Sequence, residues 1–331
     1  MARLAIVPGR SLEARGNARP REMVATERSD RTRLTGYSGT VASSPATDMI
    51  PSIQIGPYLV RFVSGGRFRL DGGAMFGVVP KTLWSRAAPA DEKNRIQMGM
   101  NCLLIEGDGK RILVDAGSGT KLDPKFREIY AIEGPEGLTE EIAASGVPPE
   151  SIDTVAMTHL HFDHCGGGTT RAADGVARAT FPKATYFVRR QEWTDAHHAN
   201  ERNRASYFSE NYDPLEASGQ LVLHDEDLEI LPGVWMKNLP GHTRGHQGVF
   251  FDIPGERALY TVDLIPTVAH LPLPYIMGYD LYPLTTLETK RAILREATRE
   301  GWLLLFEHDP ECRAIRVGGD EQRVTFEKVL A

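Results

Sequence analysis

The sequence has only three cysteines in 331 residues, and this scarcity limits how the chain can be stabilised. Cys102, Cys165 and Cys312 are odd in number and far apart, which argues against a disulfide framework. Free thiols are typical of reducing compartments. We therefore expect a cytoplasmic protein without disulfide bonds.

The chain also lacks an excess of basic residues and a long hydrophobic run. Its formal net charge is −6 and its pI is near 6.0, so no electropositive face for a polyanion is expected. No segment approaches the roughly 20 apolar residues that a membrane-spanning helix needs. Nucleic acid and membrane are therefore not expected as partners, and the composition is that of a soluble globular protein.

Residues 1–48 lack hydrophobic periodicity and contain eight arginines with many serines, threonines and glycines. Such a segment cannot bury enough apolar surface to become ordered. It has no apolar stretch of the kind found in secretory signals, and its acidic residues disfavour an organellar transit peptide. We expect either a disordered tail or a start codon assigned too early, because folded-type sequence begins at Met49. Residues 49–331 are then expected to form one domain.

One six-residue segment, 159–164, contains three histidines and an aspartate. A β-prone apolar run precedes it and three glycines follow, which indicates a strand that leads into a loop. Imidazole and carboxylate groups are ligands for Zn²⁺, Mn²⁺ or Fe²⁺. His159 and His161 can face one ion, and Asp163 and His164 a second one about 3.5–4 Å away. A merely histidine-rich polar loop is disfavoured, because burying these groups without partners is costly.

A dinuclear site needs further ligands, and three later segments supply them. His242 follows the apolar run 234–239, Asp263 follows 258–262, and His308 follows 302–306. Each candidate comes at the end of a hydrophobic strand pattern and before a loop. The repetition of one arrangement is stronger evidence for a metal site than any single histidine.

These residues together resemble the metallo-β-lactamase-fold hydrolases, whose pattern is HxHxDH followed by a distant His, Asp and His. Within that family the HFDHCGG and PGHTRGH runs, at 161–167 and 240–246, are most similar to N-acyl-homoserine-lactone lactonases. The DGGAMFGVVPK run at 71–81 and the DLIPTVAH run at 263–270 resemble their YtnP-like branch. The resemblance implies an α/β fold of α+β type, a four-layered αββα sandwich.

The resemblance also implies which residues bind metal. One ion would be held by His159, His161 and His242, and the other by Asp163, His164 and His308, with Asp263 between them. Asp115 and His246 would support these ligands without binding metal. Cys165 could act as a nucleophile or a ligand, but the set of seven ligands is complete without it, so a packing role is expected. The expected cofactors are two divalent ions, most simply Zn²⁺, with Mn²⁺, Fe²⁺ or Co²⁺ as alternatives.

The expected reaction is the opening of lactone rings, foremost N-acyl-homoserine lactones, which would make the protein a quorum-quenching enzyme. Two metal ions lower the pKa of a bridging water and polarise the carbonyl group that the resulting hydroxide attacks. Asp163 lies between the two predicted metal positions, so it is the candidate proton shuttle. The substrate would be a small lactone or ester, and a homodimer is one alternative for the assembly.

The substrate pocket is expected to be apolar and built from loops. Its candidate residues come from the segments 71–84 and 266–283, and they are Met75, Phe76, Trp84, His270, Tyr275, Met277 and Tyr279. The homoserine-lactone lactonases carry a tyrosine three residues after the bridging aspartate, but Pro266 occupies that position here. His270 or a later tyrosine is expected to approach the same space.

Other functions on the same scaffold remain open. The main alternative is a phosphotriesterase or an aryl or carboxyl esterase, because a metal pair polarises P=O as well as C=O. A persulfide dioxygenase or glyoxalase-like enzyme fits the 266–283 insertion poorly. A non-catalytic scaffold is disfavoured because all seven ligand positions are intact.

The local patterns also predict secondary structure. They indicate a hairpin at 100–115, a loop at 71–81, and helices at 138–145, 190–210, 287–300 and 325–330. The helix at 287–300 has the clearest amphipathic pattern. His197, His198 and His224 are expected to face solvent.

Overall fold

The computed structural model describes residues 50–134, 137–320 and 322–331. The segment 1–48, predicted to be a tail or a misassigned start, lies outside these ranges. Among the described residues, no helix is long and apolar enough to cross a membrane.

The first half of the chain forms a seven-stranded sheet in the order β1-β2-β3-β4-β5-β8-β9. Its strands are β1 Ser52–Ile55, β2 Tyr58–Asp71, β3 Arg95–Gly107, β4 Lys110–Val114, β5 Thr154–Ala156, β8 Thr185–Arg189 and β9 Leu221–His224. The first four strands are antiparallel, and β4, β5, β8 and β9 are mutually parallel. Strands β6 Thr169–Arg171 and β7 Ala177–Ala179 form a separate hairpin.

The second half forms another seven-stranded sheet, with strands in chain order from β10 to β16. They are β10 Leu228–Leu231, β11 Val234–Asn238, β12 Gln247–Ile253, β13 Glu256–Tyr260, β14 Leu303–Leu305, β15 Ala314–Gly319 and β16 Val324–Leu330. Only the β13–β14 pair is parallel, because α8 forms the crossover between these strands.

Eight α-helices are described, and most of them are short. They are α1 Gly72–Phe76, α2 Lys81–Trp84, α3 Pro124–Ile129, α4 Leu138–Ala144, α5 Phe162–Cys165, α6 Arg190–His197, α7 Asp213–Ala217 and α8 Pro283–Glu300. Helix α8 begins with a proline in its first turn and is capped by Gly301, whose φ of 71° suits a left-handed cap.

Apolar packing divides the molecule into the four predicted layers. The two sheets face each other across a core that includes Phe62, Leu103, Val249 and Leu305. A second core lies between the first sheet and the helices α4, α6 and α7. A third lies between the second sheet and α8. The prediction of an αββα sandwich is confirmed.

The 100–115 hairpin forms as predicted, because Asp108 and Gly109 both adopt positive φ at its turn. The predicted loop at 71–81 instead contains α1, since the Asp71 carboxylate accepts a hydrogen bond from the Ala74 amide and caps the helix. The helix predicted at 190–210 ends at His197. Asn side chains at 200 and 203 hydrogen-bond to nearby amides and favour turns there.

The helix predicted for 325–330 is wrong, because these residues belong to β16, which pairs antiparallel with β15. Pairing with an available sheet edge outweighs weak local helix preference. His197 and His198 are exposed as predicted, whereas His224 is half-buried.

Candidate metal centre and active site

The seven predicted ligands meet at one edge of the two facing sheets. His159 follows β5, His242 follows β11, Asp263 follows β13 and His308 follows β14. The segment after β5 turns at once into α5, which carries Asp163 and His164 in its first turn. Residues separated by up to 149 positions in the sequence are therefore brought together, because four strands end at the same edge.

The first group consists of His159, His161, His242 and Asp263, all buried, with their ligand atoms within 4.8 Å of one another. The Asp263 Oδ2 atom lies 2.9 Å from His242 Nε2 and 3.5 Å from His159 Nε2. His161 Nδ1 is 3.0 Å from His242 Nε2. Three imidazoles and a carboxylate thus converge on a single point.

The second group consists of Asp163, His164 and His308, which are also buried. His308 Nε2 lies 3.2 Å from His164 Nε2, and His164 Nε2 lies 3.8 Å from Asp163 Oδ2. The Asp263 carboxylate reaches this group too, with Oδ1 at 3.0 Å from His308 Nε2. Asp263 therefore stands between the two groups.

The ligand atoms of these two groups are better suited to bind cations than to form hydrogen bonds with one another. His159 Nε2 and His161 Nε2 are buried with no hydrogen-bond partner among the described residues. Leaving such atoms unpaired costs free energy, whereas a divalent ion would satisfy them. The residues present therefore fit divalent metal ions.

The charges around the site are consistent with this chemistry. Burial and the neighbouring His164 lower the pKa of His159 well below its usual value, and burial with His242 does the same for His161. Burial opposes the charged form of His242, but Asp263 and Asp280 outweigh it and raise the pKa to about 10. The acidic groups thus favour positive charge in the site, and metal ions can supply that charge.

Asp115 and His246 lie behind the candidate ligands. Asp115 accepts hydrogen bonds from the Thr158 amide at 2.8 Å and the Thr158 hydroxyl at 2.7 Å, and it lies 3.2 Å from His164 Nδ1. It has a φ of 58°, an unusual conformation for a residue other than glycine. The His246 ring spans the Leu239 carbonyl at 2.9 Å and the Asp263 amide at 3.2 Å. Both residues can therefore orient metal ligands.

Three buried carboxylates near the ligands were not predicted. Glu307 lies 2.9 Å from His164 Nδ1, Asp280 lies 3.1 Å from His242 Nδ1, and Glu192 accepts a hydrogen bond from the Leu160 amide at 3.1 Å. Glu307 directly precedes His308 at a strand end, a position that could have identified it. The other two come from elements that carry no metal motif.

A cavity of about 330 Å³ opens onto both metal groups. Its apolar wall includes Leu70, Met75, Phe162, Met277 and Leu281. Its polar wall includes Tyr130, Arg202, Asn203, Ser206 and Tyr279. The metal groups contribute His161, Asp163, His242, Asp263 and His308. The volume lies at the lower end of the range for small-molecule sites.

Three of the seven predicted pocket residues line this cavity: Met75, Met277 and Tyr279. Contrary to prediction, Phe76, Trp84, His270 and Tyr275 do not line it. The Phe76 ring is stacked between Trp84 at 5.2 Å and His270 at 4.4 Å, and Tyr275 meets its edge. Both nitrogens of His270 are engaged, by Thr267 at 2.8 Å and the Met75 carbonyl at 3.0 Å. These aromatic residues support the cavity wall from behind.

Cys102, Cys165 and Cys312 are free and buried. Cys165 Sγ donates to the Leu160 carbonyl at 3.3 Å, and burial raises the pKa of its thiol to about 12. A protonated buried thiol is a poor nucleophile, which agrees with a packing role.

Comparison with known proteins places this geometry in a family. Residues 97–308 match the metallo-beta-lactamase superfamily. The chain is 27% identical over 225 residues to the N-acyl homoserine lactonase AiiA of Bacillus thuringiensis subsp. kurstaki, covering 63% of this chain and 81% of that protein.

Solved structures are also similar to this chain. A probable metal-dependent hydrolase from Staphylococcus aureus is 30% identical with a TM-score of 0.77, covering 84% of this chain and 99% of that one. The fold is also similar to AidC, a dizinc quorum-quenching lactonase, at 18% identity and a TM-score of 0.71, covering 85% of this chain and 97% of that one. The chain therefore belongs to the metallo-beta-lactamase superfamily and is a metal-dependent hydrolase.

Proposed function

We propose that this hydrolase uses two divalent metal ions, Zn²⁺ in the first instance, to open lactone rings, with N-acyl-homoserine lactones as the leading substrates. The main support is the placement of Asp263 between two ligand groups at the floor of a partly apolar cavity. The lactonases among the relatives favour this substrate class over other esters.

The proposed ligand sets are His159, His161 and His242 for one ion and Asp163, His164 and His308 for the other, with Asp263 shared. When bound, the ions supply Lewis acidity, which lowers the pKa of water and polarises a carbonyl group. The protein supplies the fixed geometry, because the ligands are buried and held by Asp115, His246 and the three further carboxylates. The positions of the ring and its acyl substituent are set by the cavity wall.

Asp163 is proposed to move the proton. It is 8% exposed and lines the cavity, so its carboxylate has access to both the metal site and a bound substrate. Opening a lactone ring leaves an alkoxide that must acquire a proton. The Asp163 carboxylate can take a proton from the attacking water and deliver it to the ring oxygen.

A tyrosine at the cavity can assist the proposed ring opening. Pro266 stands where the related lactonases have a tyrosine, but Tyr279 lines the same cavity from the 266–283 insertion. Burial is the main cause that raises the pKa of Tyr279, and the nearby Tyr130 raises it further. The phenol therefore stays protonated near neutral pH. We propose that Tyr279 donates a hydrogen bond to a substrate oxygen.

The proposed function is tested by metal analysis of the purified protein together with a substrate panel. We expect about two metal ions per chain and opening of acyl-homoserine lactones with a kcat/KM above roughly 10⁴ M⁻¹s⁻¹. The panel includes δ-lactones, paraoxon and aryl esters, with products identified by mass. Turnover of phosphotriesters or aryl esters without lactone opening would replace the substrate assignment and leave the metal site intact.

The Asp163→Asn variant tests the proton transfer. Asparagine keeps a ligand oxygen but cannot accept a proton, so we expect kcat to fall 10²- to 10⁴-fold. Metal content is measured on the same sample, because loss of metal would lower kcat for another reason. A variant that kept both its metals and its full rate would rule out this role for Asp163.

A further inference from the structure

Asp280 is a buried carboxylate that contacts both the proposed metal ligand His242 and the wall of the cavity. It is 1% exposed and lies in the 266–283 insertion. Its Oδ1 atom is 3.1 Å from His242 Nδ1, and its Oδ2 atom accepts a hydrogen bond from the Met277 amide at 3.1 Å. The two oxygens of this side chain thus contact two different parts of the site, the ring of His242 and the main chain of the cavity wall.

Main-chain contacts hold the same segment against the His242 loop. The Leu281 amide donates to the His242 carbonyl at 3.0 Å, and the Tyr282 amide donates to the Gly241 carbonyl at 2.9 Å. Arg202 Nη2 donates to the Asp280 carbonyl at 3.0 Å. The cavity residues of the insertion therefore lie on a segment attached to the proposed ligand His242; they are Met277, Gly278, Tyr279 and Leu281.

We propose that Asp280 is a positioning residue that links the orientation of the metal ligand His242 to the shape of the substrate wall. His242 can present Nε2 as a ligand only if Nδ1 carries the proton, and Asp280 accepts a hydrogen bond from that N–H. The same carboxylate fixes Met277 through its amide. A change in the orientation of His242 should therefore displace the wall at 276–282, and a change in the wall should disturb His242.

The chemistry of the carboxylate suggests a discriminating substitution. A carboxylate has two acceptor atoms, whereas the amide of asparagine has one acceptor and one donor. In Asp280→Asn the side chain can satisfy His242 or the Met277 amide, but not both. Asp280→Ala removes both contacts. Leu284→Ala is the matched control, because Leu284 is in α8 close to the same segment and is 75% exposed.

Two readouts are independent of substrate. Zinc affinity is measured by competition with a chelating dye, and the wall is followed by hydrogen exchange of the amides at 276–282 in the zinc-loaded protein. In Asp280→Ala we expect zinc affinity to fall 10- to 100-fold and exchange at 276–282 to accelerate. In Asp280→Asn one of the two contacts is lost, so through the coupling we expect both readouts to change, each by less than in Asp280→Ala, and in Leu284→Ala we expect neither to change.

The coupling is overturned if Asp280→Ala changes only one readout or neither. Because Asp280→Asn is nearly isosteric, it still provides a test if the alanine variant does not fold. A wild-type value of either readout in Asp280→Asn would also overturn the proposal.

One consequence rests on the proposed lactonase function: in Asp280→Ala, KM should rise more for long-chain than for short-chain acyl-homoserine lactones. If the wild-type protein opens no lactone, the proposed function fails, whereas the zinc and exchange measurements still decide the role of Asp280.

Discussion

At the residue scale, one buried carboxylate joins two of the three segments that carry the first ligand group. Glu192 Oε1 accepts hydrogen bonds from the Leu160 amide at 3.1 Å and the Tyr207 hydroxyl at 2.9 Å, and Oε2 accepts from the Thr243 hydroxyl at 2.6 Å. Leu160 lies between His159 and His161, and Thr243 follows His242. Glu192 thus sets the distance between these two segments, although it was given no role in the sequence analysis.

Replacing Glu192 should therefore destabilise the fold. In Glu192→Ala three buried donors lose their acceptor, and we expect the free energy of unfolding to fall by about 3 kcal/mol. Glu192→Gln keeps one acceptor and should lose less. The measurement is urea unfolding of the metal-free proteins, with exposed Glu216→Ala as a control that should stay within about 0.5 kcal/mol. Equal midpoints for Glu192→Ala and the wild type would contradict this role.

Glu192 and the histidines differ in how well the sequence alone predicts their place in the site. His159, His161 and His164 could be proposed as ligands because their short spacing already brings them close together. Glu192 and Asp280 come from other elements, and only the tertiary fold places them beside the histidines. A single acidic residue in a sequence carries no local sign that it will be buried next to a metal ligand.

At the element scale, α8 supports the 266–283 insertion, which contributes to the cavity wall. Lys290 projects from α8 with 0% exposure, and its Nζ donates to the carbonyls of His270, Pro272 at 2.8 Å and Tyr275 at 2.9 Å. One ammonium group therefore satisfies three carbonyl groups of an irregular segment that has little secondary structure of its own. The stacked rings of Phe76 and His270 pack beside this segment.

Lys290→Met should loosen the insertion, because methionine retains similar bulk but cannot donate to the three carbonyls. We expect faster hydrogen exchange at 266–282 and a loss of about 1–3 kcal/mol in the free energy of unfolding. Exchange in the β-sheets should change much less. Glu288→Met, an exposed change in the same helix, is the control. Unchanged exchange at 266–282 in Lys290→Met would show that α8 does not hold the insertion.

The α8 helix itself was readily predicted, since its 3.6-residue periodicity is long and regular. The insertion before it was recognised from its prolines, but its folded path was not, because that path depends on contacts with Lys290 and Asp280. For the same reason Phe76 and His270 were assigned to the pocket when they lie behind its wall. Hydrophobicity indicates burial, but it does not say which side of a wall a ring will occupy.

At the scale of the whole molecule, the two sheets position the site jointly. The first sheet supplies the 159–164 segment, and the second supplies His242, Asp263 and His308 from three strand ends. The αββα architecture was predicted from the resemblance to a known family, whereas the edge strand β16 was mistaken for a helix because its pairing partner could not be seen in the local pattern. The cytoplasmic location, the homodimer and the assignment of residues 1–48 stay predictions.

Because the site joins both sheets, metal ions should stabilise the whole fold. Ions that bind only the folded state contribute about 4 kcal/mol when they are present at 1,000 times their Kd, which corresponds to roughly 10 °C in Tm for a domain of this size. We therefore expect chelation to lower Tm by about that amount and Zn²⁺ to restore it. His242→Ala and His308→Ala should lose much of the zinc-dependent shift, because each removes a proposed ligand of one ion. His197→Ala, at an exposed histidine outside the site, should keep it. If chelated and zinc-loaded wild-type protein melted at the same temperature, the buried cluster would not be a metal site that ties the two sheets together.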